Sequence, residues 1–115
     1  MMKYHLFLDD LRTVQMVYPH LSEKDFVVVR TYEEFVNCIR QKGLPAFISF
    51  DNDLGEDEEG NLLPDGYAAS KWLVYESGLD LQALRFKVHS ANPVAREYIE
   101  SLLTNYINFL KNETQ

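Results

Sequence analysis

A single cysteine, Cys38, stands in the whole chain, which excludes an intramolecular disulfide framework. Its place inside a helical apolar pattern fits a buried structural thiol better than a reactive one. Positive charge is also scarce: 11 Lys and Arg against 18 Asp and Glu leave a formal net charge of -7. A nucleic-acid backbone binder of the usual basic-face kind, bulk DNA included, is therefore not expected, because phosphate neutralisation needs clustered cations. A small phosphorylated ligand held by one Arg or by a metal ion remains compatible with that charge. No apolar run approaches the ~20 residues that span a bilayer, so no membrane partner is expected. The start, Met1-Met2-Lys3-Tyr4-His5, runs straight into a strand-like segment without the apolar stretch and cleavage site of a signal peptide. A bacterial or eukaryotic cytoplasmic location is the expectation.

What is present suffices for a core. Apolar residues make up 46% of the 115 positions, and one domain over 1–115 is expected. Tyr4 to Leu8 is a short apolar run that ends abruptly in Asp9-Asp10, the pattern of a buried strand. Leu11 to Asp25, with scattered apolar residues and Pro19, reads as an irregular or weakly helical connection. Phe26 to Arg30 is a second strand, β-branched and aromatic. Thr31 and Glu34 have capping-box spacing, Phe35, Val36 and Ile39 give an apolar stripe, and Gly43 stops that helix. Ala46 to Phe50 is a third strand, again ending on acid at Asp51. A polar loop, Asn52 to Pro64, precedes a helix from about Gly66 to Ser77, with Ala69, Trp72 and Leu73 inside and Gly78 as its cap. Arg85 to His89 is the fourth strand. In the last helix Asn92 is the N-cap and Pro93 the first residue, and Val94, Tyr98, Leu102 and Tyr106, with Ile99, Leu103 and Leu110, keep a 3.6-residue period. Alternating strands and helices imply a parallel sheet with right-handed crossovers and helices on both faces. The ligand site of such a sheet lies at the carboxyl ends of its strands, at the switch point.

Three strand ends carry chemistry. They deliver Asp9 and Asp10, then Asp51 and Asp53, then His89, Ser90 and Asn92 to one rim, while Arg30 at the end of the second strand reads as an ordinary surface residue. Four carboxylates in one place repel one another unless a cation joins them or some stay protonated. Their hard oxygens suit Mg2+, with Asp9, Asp10, Asp51 and Asp53 as candidate ligands. A plain role as caps of the following loops is the alternative for each Asp. Asp51 to Gly60 fails as a calcium loop because Glu56 stands where an EF-hand needs Gly, and Asp57, Glu58 and Glu59 read as a solvated run. His89 precedes a turn that opens a helix, where free N–H groups and a positive dipole end suit a phosphate. A His there can exchange a proton during phosphoester cleavage, or it can be structural. Asn92 is a ligand contact or only the N-cap. Arg12 either clamps a phosphate or pairs with Asp10.

Leu8-Asp9-Asp10-x-Arg12, Phe50-Asp51, Asp65-Gly66-Tyr67 and Ser90-Ala91 resemble the response-regulator receiver domain over nearly the whole chain. The resemblance implies an α/β, flavodoxin-like three-layer fold. It also implies Mg2+ on Asp9 and Asp10, a phosphoacceptor at Asp51, and a phosphoryl-sensing hydroxyl at Ser90. A receiver's fifth strand ends in Lys-Pro; here the fourth strand runs into the helix Pro93 to Lys111, so a four-stranded sheet with a long C-terminal helix is expected. Phe50-Asp51-x-Asp53-Leu54-Gly55 and His89-Ser90-Ala91-Asn92-Pro93, taken with the other motifs, are similar to a derived group, the cyclic-phosphate-processing receiver-like domains.

The function expected from the residues and the resemblance together is metal-assisted processing of a cyclic or terminal phosphate on a nucleotide or RNA end. Asp9, Asp10 and Asp51 would position Mg2+ and His89 would be general acid or base, with Asp51 as the nucleophile in a variant of the scheme. Arg12, Ser90 and Asn92 would contact substrate. A signalling module phosphorylated on Asp51 is one alternative. A non-catalytic module that uses Tyr75, Tyr106 or Phe109 as an apolar patch is another.

Overall fold

The computed structural model describes residues 3–113; Met1, Met2, Thr114 and Gln115 of the expected domain lie outside them. Four strands, β1 (His5–Leu8), β2 (Phe26–Val29), β3 (Phe47–Phe50) and β4 (Arg85–Val88), form one parallel sheet in the order β2-β1-β3-β4. Between them run α1 (Val14–Val17), α2 (Tyr32–Lys42) and α3 (Gly66–Tyr75), and α4 (Pro93–Glu113) follows β4. No fifth strand occurs among the described residues, as expected. None of the helices is long and apolar enough to cross a membrane among the described residues.

Register explains the two faces. Leu6 pairs with Val27 and Ile48, and Leu8 with Val29 and Phe50. Side chains alternate along a strand, so these residues share one face, and α2, α3 and α4 close over it. Leu6, Leu8, Ile48, Phe50 and Phe35 of α2 are fully buried there. The opposite face carries His5, Phe26, Phe47 and Arg85 in one rank and Phe7, Val28, Ser49 and Lys87 in the next. Its covering layer is thin: four-residue α1 and a single 3-10 turn, Glu23–Asp25, are all the helix that the irregular connection between β1 and β2 supplies.

Local signals act largely as the sequence implies. The Thr31 hydroxyl accepts from the N–H of Glu34, and Gly43 ends α2 at a positive φ of 84°. The Glu34 carboxylate takes the N–H of Arg30 instead of the cap's own, so the capping box closes one residue early. Two expectations need correction. The buried stripe of α4 is Ala95, Ile99, Leu103 and Ile107, whereas Val94 and Tyr98 are each 58% exposed. Packing against α3 and β4 selects this i, i+4 row, and the wide apolar belt of the helix did not reveal which row wins. The second correction is that α3 stops at Tyr75, with Glu76 as its C-cap and Gly78 (φ 71°) two residues beyond.

Candidate functional site

The strand order reverses between β1 and β3, and the residues just past those strands are Asp9 and Asp51. The ladder runs one step further there, with the N–H of Asp9 bonded to the Val29 carbonyl, that of Asp51 to Leu8, and that of His89 to Phe50. Asp9, Asp51 and His89 therefore form a third rank on the thinly covered face, above Phe7 and Ser49. Ligand atoms of these three side chains all lie within 4.8 Å of one another.

Asp9 is 1% exposed and heavily bonded. Its Oδ1 accepts from the N–H groups of Leu11 and Arg12 at 2.9 and 2.8 Å. Its Oδ2 accepts from Arg12 Nε at 2.8 Å and meets His89 Nε2 at 3.0 Å. Burial pushes the Asp9 carboxyl up, but these donors and the Arg12 charge outweigh it and hold the group below the usual carboxylate range. Asp51 has fewer donors, the N–H of Asn52 at 2.9 Å and Arg12 NH2 at 3.3 Å. Burial, then the Asp9 charge, raise it to about 6 in spite of Arg12. Arg12 thus pairs with Asp9 and Asp51, not with Asp10, because its guanidinium folds back across the rim to reach the His89 carbonyl as well.

His89 lies flat on Phe7, with ring centroids 4.8 Å apart and planes within 4°. Burial takes it below its ordinary value despite the opposing bond and charge of Asp9, so it is neutral at pH 7. Its Nδ1 is 2.6 Å from Ser49 Oγ, and that oxygen is 2.6 Å from the Tyr18 hydroxyl. An ionised carboxylate only accepts, so Nε2–H points at Asp9, Nδ1 accepts from Ser49, and Ser49 accepts from Tyr18. Both hydroxyls can rotate, so the chain can reverse and support the other His89 tautomer. Sequence reasoning missed Ser49 and Tyr18. Ser49 had a signal, a polar residue inside the apolar run Phe47-Ile48-Ser49-Phe50; Tyr18 had none.

Other candidates fall at different distances from this centre. Asp10 lies close enough for its charge to push Asp51 up, yet outside the three-residue cluster. Asp53 is exposed, accepts from the Asn52 side chain, and does not join the cluster. Ser90 is buried and its Oγ accepts from the N–H of Asn92. The Asn92 carboxamide oxygen caps α4 on the N–H groups of Val94 and Ala95. Arg30, read as a surface residue, is half-buried and donates from NH1 to the carbonyls of Asp9 and Arg12, bracing the loop that carries the site. Gly66 has a comparable role: a Cβ there would sit 1.9 Å from the Asp51 carbonyl oxygen, so only Gly lets α3 begin against the loop that follows β3.

A carboxylate raised to about 6 by burial and then by the charge of a second carboxylate beside it is a site that a cation would relieve. The donor set of Asp9, Asp51 and His89, two carboxylates flanked by an imidazole, could hold a divalent metal ion.

The model of the cyclic-phosphate processing receiver domain matches residues 4–105 of this chain. Among solved structures, a fusion containing the yeast Spc42 trimeric coiled coil is similar at a TM-score of 0.56 and 16% identity, covering 97% of this chain and 83% of that one. At that identity the likeness shows the fold alone. No curated protein matches the chain.

Proposed function

The chain belongs to the cyclic-phosphate processing receiver domain family, and on that premise we propose that it hydrolyses a cyclic or terminal phosphoester on a nucleotide or RNA end with the help of Mg2+. The convergence of Asp9, Asp51 and His89 within 4.8 Å at the switch point is the observation that supports the reading. When a cyclic phosphate opens, a water oxygen bonds to phosphorus, one ring P–O bond breaks, and the proton lost by water ends on the released hydroxyl. In the Nδ1–H tautomer, which the reversed Ser49–Tyr18 chain supports, neutral His89 takes that proton at Nε2, the ring atom facing the carboxylates, and Asp9 steadies the imidazolium formed in between. The Ser49–Tyr18 chain keeps Nδ1 bonded in either tautomer. Arg12 offers fixed positive charge to the phosphoryl oxygens, which gain charge as the bond forms. Asp9 and Asp51, with Asp10 nearby, would hold Mg2+, and the ion would add positive charge beside those oxygens. The turn after β4, with Ser90 buried and Asn92 exposed, would contact the substrate.

Turnover of 2′,3′-cyclic mononucleotides, with Mg2+ and with a chelator, tests the reading. Metal-dependent turnover is expected, and His89→Gln is expected to lower kcat by about 10²–10⁴. Absence of turnover in the intact protein sinks the proposal, and gain of one phosphoryl mass on Asp51 from a small phosphodonor would move the reading to signalling.

A further inference from the structure

The thinly covered face of the sheet is not closed over below Tyr18. A groove of about 740 Å³ runs there between β4 and the connection that carries Tyr18 and the 3-10 turn. Its floor is the rank His5, Phe26 and Phe47; His5 and Phe26 meet tilted at a centroid distance of 5.4 Å, and Phe47 meets them edge-on at 5.7 and 6.3 Å. All three are only half-buried. Lys3, Lys24, Arg85 and Lys87 stand on its walls, with Asp25 as the one acid. None of these four cations forms an ion pair among the described residues, where the pairs are those of Arg12 and His89. Four unpaired cations gathered around three open rings are unexpected in a chain with a net charge of -7. Lysine on an edge strand discourages strand addition, which accounts for Lys87 but not for Lys24 across the groove, nor for the rings.

The groove is also aligned with the site. Floor and site lie on the same face, four residues apart along β1 and β3, which is about 13 Å. Phe7 bridges them, 6.2 Å from Phe26 on one side and stacked on His89 on the other.

We infer that this groove binds a short stretch of single-stranded RNA, its bases against His5, Phe26 and Phe47 and its phosphates among Lys3, Lys24, Arg85 and Lys87. Rings that accept any base and cations that track a backbone are the two components of single-strand binding. Entry of the RNA's terminal phosphate into the Asp9–Asp51–His89 site rests on the function proposed above, and makes an RNA end the better substrate and a free cyclic nucleotide a slower one.

Fluorescence polarisation of a labelled single-stranded hexaribonucleotide with a 3′-phosphate, titrated with the intact chain at low salt, tests it. Saturable binding is expected. The exposed pair Arg85→Glu with Lys87→Glu should weaken it at least tenfold and flatten its salt dependence, since about 0.7 of a counterion is released per phosphate contact. Phe47→Leu, which keeps the floor apolar but removes a ring, should weaken it about fivefold or more. Circular dichroism melts confirm that each variant is folded. No binding by the wild type, binding indifferent to folded variants, or equal affinity for an abasic hexamer overturns the inference. RNA binding without turnover of cyclic mononucleotides leaves the groove standing and sinks the reaction; turnover without RNA binding does the reverse.

Discussion

Under α2, α3 and α4 the sheet presents Leu6, Leu8, Ile48 and Phe50, all fully buried and all apolar. From the same strands, one residue out of phase, the other face presents Phe7, Ser49, Lys87 and the rank of Asp9, Asp51 and His89. The strands are the same and so is the period of two; only the covering layer differs. Three helices of ten residues or more close the first face, and one four-residue helix guards the second. The contrast separates two tasks. The covered face supplies the apolar burial that holds the fold; on the other face Asp9, Asp51 and Ser49 are buried too, and each polar atom there is held by a hydrogen bond or an ion pair among the described residues.

The comparison breaks most sharply at Phe35. This fully buried ring packs on Phe50 and on Trp72 at centroid distances of 5.7 and 6.3 Å, joining α2, β3 and α3. Phe35→Ala is expected to cost about 3–5 kcal/mol in urea unfolding, a large part of the stability of a domain this size. A loss below about 1 kcal/mol would mean that the helical layer is not what stabilises the chain.

On the open face the sign reverses. Folding raises Asp51 from 3.8 to about 6, so the folded chain binds its proton more tightly than the unfolded chain does. The contribution of Asp51 to stability is therefore present below about pH 4 and is lost as pH rises through about 6. Asp9, held low, acts in the opposite sense and loses its contribution as pH falls. Asp51→Asn keeps an acceptor for the Asn52 N–H and removes the charge, so it should stabilise the protein at pH 7–8 by about 2–3 kcal/mol. The gain over the wild type should vanish toward about pH 4, as followed by thermal melts across pH. Mg2+ should raise the melting temperature of the wild type more than that of the variant. A variant no more stable than the wild type at pH 8 would mean that the carboxylate pair is already relieved by Arg12.

Much of this layout was legible before folding. Apolar runs that stop on Asp9, Asp51 and His89 announced parallel strands with a polar rim, and Thr31, Gly43, Asn92 and Pro93 marked helix ends through local chemistry. Asp9 and Asp51 were readable as partners because topology alone brings strand ends together. What escaped depends on contacts remote in sequence. Arg12 is as near to Asp10 as to Asp9 along the chain, and only the fold-back of its guanidinium decides between them. Asp53 follows Asp51 by two residues but leaves the rim, because the chain turns away after Asn52. Arg30 looked exposed because nothing local shows that the loop from β1 crosses above it. The groove on the open face was invisible for the same reason: its cations come from three separate segments, and the net charge conceals them.

Tyr18 offers the smallest and most specific break between the faces. It belongs to the irregular connection, yet its hydroxyl sits 2.6 Å from Ser49 Oγ and ends the chain that holds His89 Nδ1. Tyr18→Phe keeps the ring that stands edge-on to His89 and removes only that hydroxyl. The expected cost is about 1 kcal/mol, the net worth of one hydrogen bond, because Ser49 can still donate to Nδ1. In the other tautomer Nδ1–H donates to Ser49, whose own proton then needs Tyr18 as acceptor, so the variant should disfavour that tautomer selectively. Histidine side-chain nitrogen shifts measured by NMR would show it as a more complete bias toward Nε2–H than in the wild type. Identical nitrogen shifts in the two proteins would mean that Tyr18 merely fills space over the sheet, and that the open face is tuned by Asp9 alone.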